Sequence, residues 1–282
     1  MLKQRVLTAI VLLALLLPAM LFDSTWPFAL LTLLLIGAAG WEWGRLNGAP
    51  ATLSIAFGAA LVAVCAGAWW AGWTARAPAL AWWFAGAVWV LGASAALRAG
   101  VAGWPNVPIA LRWCLGLIAL WAAWLALAAA KASGLNFLLS VFCLVWVADI
   151  AAYFGGRRFG RRKLAPAISP GKSWAGAYSG GLAALLLALL WLALERASGV
   201  AAGSASSSLY GRLDAHWGLA GMAAAVVFLV AMSVVGDLVE SLVKRSAGEK
   251  DSSRLLPGHG GVLDRIDALL PVFPLALALS SW

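Results

Sequence analysis

Charge is what this sequence has least of. Of its 282 residues only 11% are Asp, Glu, Lys or Arg, while 63% are hydrophobic. Soluble domains carry about 25% charged and roughly 45–50% apolar residues, so a water-soluble globular core is excluded. Cysteine is also scarce. Cys65, Cys114 and Cys143 each stand alone in an apolar run and form no CxxC pair, so they read as small core hydrophobes with no redox or metal role. Acids are few as well, 11 against 20 Lys and Arg, for a formal net charge of +9. In a chain of mean hydropathy +0.92, that excess points to basic loops beside anionic lipid and not to nucleic acid.

What the chain has in abundance is apolar runs and tryptophan. About 20 apolar residues span a bilayer as a helix, and the breaks at Pro, Gly and charge clusters divide the chain into about nine such runs: 6–22, 26–41, 52–72, 79–97, 110–130, 135–154, 175–194, 217–236 and 263–281. The expectation is an all-α, polytopic transmembrane bundle. The basic start and apolar run of residues 1–20 have the form of a secretory signal, but the run is the first of many and is expected to remain as an uncleaved span. Trp69, Trp70, Trp73, Trp82, Trp83 and Trp104, among 18 tryptophans, lie near proposed span ends, as interfacial anchors do. With the N-terminus placed in the cytoplasm, sixteen Lys and Arg fall inside and four outside. That imbalance favours this orientation and an external C-terminus at Trp282. Residues 197–218 are small and polar and read as an external loop, with His216 an interfacial residue. No internal repeat is visible.

The few acids are unevenly placed. Six of the eleven lie between Asp237 and Asp267. With the spans above, Asp149 lies near the inner end of span six and Asp237 at the inner end of span eight, while Asp264 and Asp267 open span nine. A lone Asp at a helix start is ordinary capping. Carboxylates brought to one face by three spans are costly in or near lipid and mark a site. Asp264 and Asp267 are three apart and share a helix face. Mg²⁺ is commonly held by one or two carboxylates together with phosphate oxygens, and Lys244, Arg245, Lys250 and Arg265 are at hand to neutralise phosphates. Gly258, Gly260 and Gly261 let backbone approach an anion closely. His259 is open to three readings: a metal ligand, a phosphate donor or a turn-stabilising residue.

A second basic segment, Tyr153 to Gly176, contains "SPGKSW". Its "GKS" suggests a P-loop, but that motif needs Gly at position 166, which is Pro166, and no strand is expected before it. Ser169, Lys172 and Ser173 remain candidates to bind phosphate in another manner, facing the same pool as Asp237 and Asp264.

The stretch "SLVKRSAGEKDSSRLLPGHGGVLDRID", Ser241 to Asp267, resembles the signature of the phosphatidate cytidylyltransferases, also called CDP-diacylglycerol synthases. Ser241, Lys244, Arg245, Lys250, Asp251, His259, Gly260, Gly261, Asp264, Arg265 and Asp267 carry the match over 27 positions. "DIAAYFGGRRFGRRKLAPAISPGKSWAG" is similar to a second stretch of that family, except that Ala175 stands where the family has an acid. The likeness covers roughly 140–282; before that the chain shares only hydrophobicity. It implies transfer of CMP from CTP to phosphatidate, giving CDP-diacylglycerol and pyrophosphate, with Mg²⁺ required, in a bacterial inner membrane. Its partners would be CTP and bilayer phosphatidate, and the Gly and Ala on the spans would allow a homodimer.

Under that reading, 1–131 are N-terminal transmembrane helices and 132–282 form the catalytic region, with cytoplasmic loops at 155–174 and 237–264. Asp237 and Asp264 are the expected metal ligands, and Asp267 stands behind them or on a second ion. Lys250, Arg265 and Lys172 hold phosphates, and Asp251 orients Lys250 or binds metal. Two other transferase classes fit poorly. There is no Asp-Gly-x-x-Ala-Arg string, as in CDP-alcohol phosphotransferases, and no paired Asp-rich motifs, as in membrane prenyltransferases. A transporter would place its acids near mid-bilayer, often in repeated halves.

Overall fold

The structure, a computed structural model, describes residues 2–204 and 206–281. Trp282, expected outside the membrane, lies outside the described residues, as do the side chains of Lys3 and Arg5 that enter the charge count.

Each expected apolar run is met by a helix. In chain order these are α1 (Leu2–Leu21), α2 (Trp26–Leu46), α3 (Ala51–Trp70), the single turn α4 (Trp73–Arg76) and α5 (Ala79–Ala87), which continues through a π turn (Val88–Gly92) into α6 (Ala93–Gly103). Then follow α7 (Ile109–Ala132), α8 (Leu135–Phe159), α9 (Trp174–Ala197), α10 (Leu209–Ser246), α11 (Leu263–Ile266) and α12 (Leu269–Ser280). Among the described residues, seven runs are long and apolar enough to cross a membrane; the protein is a polytopic membrane bundle. The first and last of the nine expected runs are shorter: an apolar stretch of Val6–Leu21 in α1, and the 12 residues of α12. The shortness of α12 has a physical cause. The chain enters already recessed, with the Asp267 carbonyl packed onto Gly236 where a Cβ would overlap it. Twelve helical residues then suffice to bring the Leu279 carbonyl to Trp217 Nε1, 3.2 Å away.

Contacts between helix ends sort the bundle into two faces. On one, Thr8 Oγ1 of α1 donates to the Pro257 carbonyl (2.9 Å) and Trp43 Nε1 of α2 donates to the Arg112 carbonyl (2.9 Å). On the other, Lys131 Nζ donates to the Met20 and Phe22 carbonyls (2.7 and 2.9 Å), and Arg212 Nη2 to the Ser133 carbonyl (2.9 Å). One buried apolar cluster runs through α2, α7, α8, α10 and α12, so the N-terminal helices and the region after residue 132 share a core.

Three local features differ from the sequence expectation. The bundle is not wholly α: β1 (Lys163–Ala165) and β2 (Ser169–Ser173) form an antiparallel hairpin, with Lys163 opposite Ser173 and Ala165 opposite Ser169. A strand therefore does precede "SPGKSW", but the GKS itself is strand, not the loop of a P-loop. Ser173 ends the hairpin and caps α9, accepting from Gly176 N at 3.2 Å, which satisfies one of the orphan donors of a helix start. The second difference is α10, which runs 38 residues across a kink at Gly218 (φ +66°) and begins inside the expected external loop. The third is its other end, which continues nine residues past Asp237 because Glu240 and Lys244 find partners inside the protein and the helix need not stop at its first charge. The second charged loop is thus 247–262, and Asp237 lies roughly 14 Å along the helix from its end at Ser246.

Candidate active site

The recessed position of Asp237 makes a cavity. Asp149 on α8, the β1–β2 hairpin and Asp237 on α10 surround a space of about 690 Å³, lined also by Arg157, Lys163, Ser169, Lys172 and Ser173. The hairpin delivers Lys172 to Asp237, Nζ to Oδ2 at 2.6 Å. The approach of α8 and α9 that frames the cavity depends on small residues. A Cβ on Gly176 would meet the Ala152 carbonyl at 2.8 Å, and one on Gly180 the Ala148 carbonyl at 2.7 Å.

One to two turns further along α10 lies a second group. Lys244 Nζ pairs with Glu240 Oε2 and with Asp264 Oδ1, both at 2.6 Å. The other oxygen of Asp264 accepts from Ser252 N (2.8 Å), Ser252 Oγ (2.8 Å) and Gly261 N (2.7 Å). Burial opposes ionisation of Asp264, but the Lys244 ammonium and those two backbone N–H groups outweigh it and hold the carboxyl below the usual range. Gly260 has φ +82°, and a Cβ there would press on the Asp264 carboxylate, so this turn requires glycine. Asp267 stands between the two groups. Its Oδ1 accepts from Ala268 N at 2.8 Å.

The expected site residues therefore divide. Lys172, Ser169, Ser173 and Asp237 meet at the cavity, and Lys244, Asp264 and Gly261 meet about two turns further along α10, with Asp267 adjoining both. Lys250, Asp251, Arg245 and Arg265 are exposed on the covering loop or beside it. Arg245 Nη1 turns to the Glu249 carbonyl (3.2 Å) and Arg265 Nε to the His259 carbonyl (2.9 Å). His259 N donates to the Leu256 carbonyl (2.8 Å), closing the turn that Leu256 and Gly260 bracket.

Sequence reasoning passed over Glu42, Glu240 and Ser252. Glu42 is fully buried and takes hydrogen bonds from the middle and the far end of the 247–262 loop and from the start of α11. The available signal was a carboxylate lodged in "IGAAGWEWG", which is costly in an apolar run unless fully bonded.

Among the described residues no three His, Cys, Asp or Glu converge closely enough to hold a metal ion by themselves. The donor chemistry nevertheless fits a hard cation completed by phosphate and water. Asp237 and Asp267 adjoin, and a lysine ammonium already neutralises Asp237.

Beside the polar cavity runs an apolar groove of about 670 Å³ between α9 and α10, reaching Leu97 of α6. Leu164, Ala177 and Val234 line both spaces. A basic, acid-lined cavity that shares a wall with an apolar groove, in a polytopic membrane bundle, has the chemistry to receive a ligand that is part polyanion and part hydrocarbon. Comparison with known proteins narrows that class. The profile of the cytidylyltransferase family matches residues 3–282, and the chain belongs to that family. It is 44% identical over 297 aligned positions to a phosphatidate cytidylyltransferase of Pseudomonas aeruginosa, covering all of this chain and 99% of the relative. Phosphatidate cytidylyltransferases of Haemophilus influenzae (45% over 141 residues; 50% of this chain, 44% of theirs) and Staphylococcus epidermidis (34% over 145; 51% and 49%) match about half of each chain.

Proposed function

We propose that the protein transfers the cytidylyl group of CTP to phosphatidate, forming CDP-diacylglycerol and releasing pyrophosphate, at the face of an inner membrane that meets the cytoplasm. One observation carries this reading: the polar cavity and the apolar groove share a wall. A water-soluble nucleotide and a lipid headgroup can meet there while the acyl chains stay in an apolar surround. The one-sided distribution of Lys and Arg supports the cytoplasmic face.

In this mechanism a phosphate oxygen of phosphatidate attacks the α-phosphorus of CTP. The bond from the α-phosphorus to the bridging oxygen breaks, and pyrophosphate departs with the electron pair. The nucleophile is already anionic, so little proton transfer is needed. The barrier lies in bringing two anions together and stabilising charge on the equatorial and leaving oxygens. Lys172, Lys163 and Arg157 supply positive charge around the cavity, and Ser169 and Ser173 supply hydroxyls. Mg²⁺, when bound, would neutralise phosphate oxygens; Asp237 and Asp267 would hold it, and Asp264 would join only where Lys244 leaves its Oδ1. On the covering loop, Lys250, Arg245 and Arg265 are available to the triphosphate once the nucleotide enters.

Purified protein supplied with phosphatidate, CTP and Mg²⁺ tests the proposal by pyrophosphate release. Release should require both the lipid and the nucleotide. Release from CTP without phosphatidate, or none with all three present, rejects it.

A further inference from the structure

We infer that Glu42, on a helix remote in sequence from the signature loop, is a positioning residue that latches this loop so that Asp264 and Lys244 are held at the site. The inference deepens the proposed reaction and rests on it for its kinetic consequence, though not for its structural one.

Glu42 lies on α2 one turn before Arg45 and does not line the cavity. Its Oε1 accepts from Ser253 Oγ (2.5 Å) and Val262 N (2.9 Å), and its Oε2 from Leu263 N (2.7 Å) and Ser252 Oγ (3.1 Å). These donors come from the middle of the 247–262 loop, from its last residue and from the first residue of α11, so one carboxylate ties the second half of the loop closed on itself. Ser252 connects the latch to the site, because its N and Oγ also donate to Asp264 Oδ2 at 2.8 Å. A hydroxyl has one proton, and Asp264 is the nearer acceptor. Three donors then remain for Glu42, while Ser252 N and Gly261 N stay on Asp264. Arg45 adds a second clasp from the same helix, donating to the Ser252 carbonyl and pairing with Glu249 Oε1 at 3.4 Å. Gly261 shows how closely the parts fit: a Cβ there would overlap both Ser252 Oγ and the Glu42 carboxylate.

A carboxylate is suited to this place because all its capacity is as an acceptor and Ser253 Oγ, Val262 N and Leu263 N all donate to it. An amide would turn an NH₂ toward one of those donors and leave buried polar groups unpaired. A displacement of about 1 Å at reacting groups can cost about 10²-fold in rate even when the mutation is remote from the chemistry.

The test combines hydrogen–deuterium exchange over residues 250–263 with steady-state kinetics in CTP and phosphatidate, on the full-length protein. Glu42→Gln should accelerate exchange in that segment and lower kcat by about 10²-fold with both KM values little changed. Ser253→Ala, which removes one donor to Glu42 and none to Asp264, should do the same to a smaller degree, and the two changes should combine less than additively. Glu195→Gln, at a buried glutamate on the opposite face, should leave exchange in 250–263 unaltered. Unchanged exchange in Glu42→Gln overturns the latch, as does a wild-type kcat in that variant. If Glu42→Gln does not fold, wild-type exchange and kcat in Ser253→Ala overturn it. Absence of CDP-diacylglycerol synthesis by the unmodified protein would count against the proposed reaction, while the exchange measurement would still decide whether Glu42 holds the loop.

Discussion

The two faces of the bundle each contain a buried glutamate, and their surroundings differ in kind. Glu195, near the end of α9, accepts from Ser208 N (2.6 Å), Ser208 Oγ (2.8 Å) and Asn136 Nδ2 (2.6 Å). It fastens the start of α10 to α8 and α9, and Trp191 Nε1 braces Asn136 at 2.9 Å. Glu42 is equally well bonded, but its donors belong to a loop that also holds Asp264. Beyond Glu42 lie acids paired with lysines around an open cavity. Beyond Glu195 lie the exposed Arg196 and its ion pair with Asp214 (2.7 Å). A fully hydrogen-bonded buried carboxylate is thus a structural device at either face. At Asp237 the carboxylate is instead paired with the Lys172 ammonium at an open cavity, where its charge can be reached by a ligand.

This contrast can be broken by mutation, and the effects should fall in order. The largest is expected at Asp237→Asn. It removes a charge at the cavity and should lower turnover by about 10³-fold while the protein remains folded, as judged by detergent-solubilised yield and thermal unfolding. Next is Lys172→Met, expected to lower kcat/KM for CTP by about 10²-fold through loss of a charged phosphate contact. A variant of normal efficiency would move the triphosphate away from the hairpin. Ala231→Trp in the apolar groove should raise KM for phosphatidate by about tenfold with KM for CTP unchanged, since over-filling an apolar space costs about 1–3 kcal/mol. Equal effects on both substrates would remove the lipid from this groove. On the opposite face, Glu195→Gln should cost about 1–3 kcal/mol of stability by stranding buried donors, seen as a lower Tm with kcat preserved. A selective loss of kcat there would erase the distinction between the faces.

Much of this architecture was legible in residue order. Every long helix follows from apolar runs bounded by Pro, Gly or charge, and the unequal spacing of eleven acids marked the region that holds Asp237, Asp264 and Asp267, though Asp237 lines the cavity and Asp264 does not. What escaped was set by partners far apart in the chain. The hairpin at Lys163–Ser173 has too few residues for a strand period to show, and it forms because α8 and α9 hold its ends. Helix α10 outruns its apolar stretch because Asp264 receives Lys244. Glu42 had no visible role because its donors lie more than 200 residues away. Ala175, where the family resemblance implies an acid, precedes Gly176, whose N–H is taken by the Ser173 cap; the cavity draws its carboxylates from α8 and α10 instead.

The central claim, that this cavity joins a cytidine nucleotide to a lipid phosphate, is tested most directly by following α-³²P-labelled CTP in the presence of phosphatidate and Mg²⁺, with the unmodified protein and the Asp237→Asn variant side by side. The account predicts that the label enters the lipid fraction as CDP-diacylglycerol with the unmodified protein and remains with the nucleotide in the variant. Label that stays in water-soluble products with the unmodified protein, or that enters lipid equally well without the Asp237 carboxylate, contradicts it.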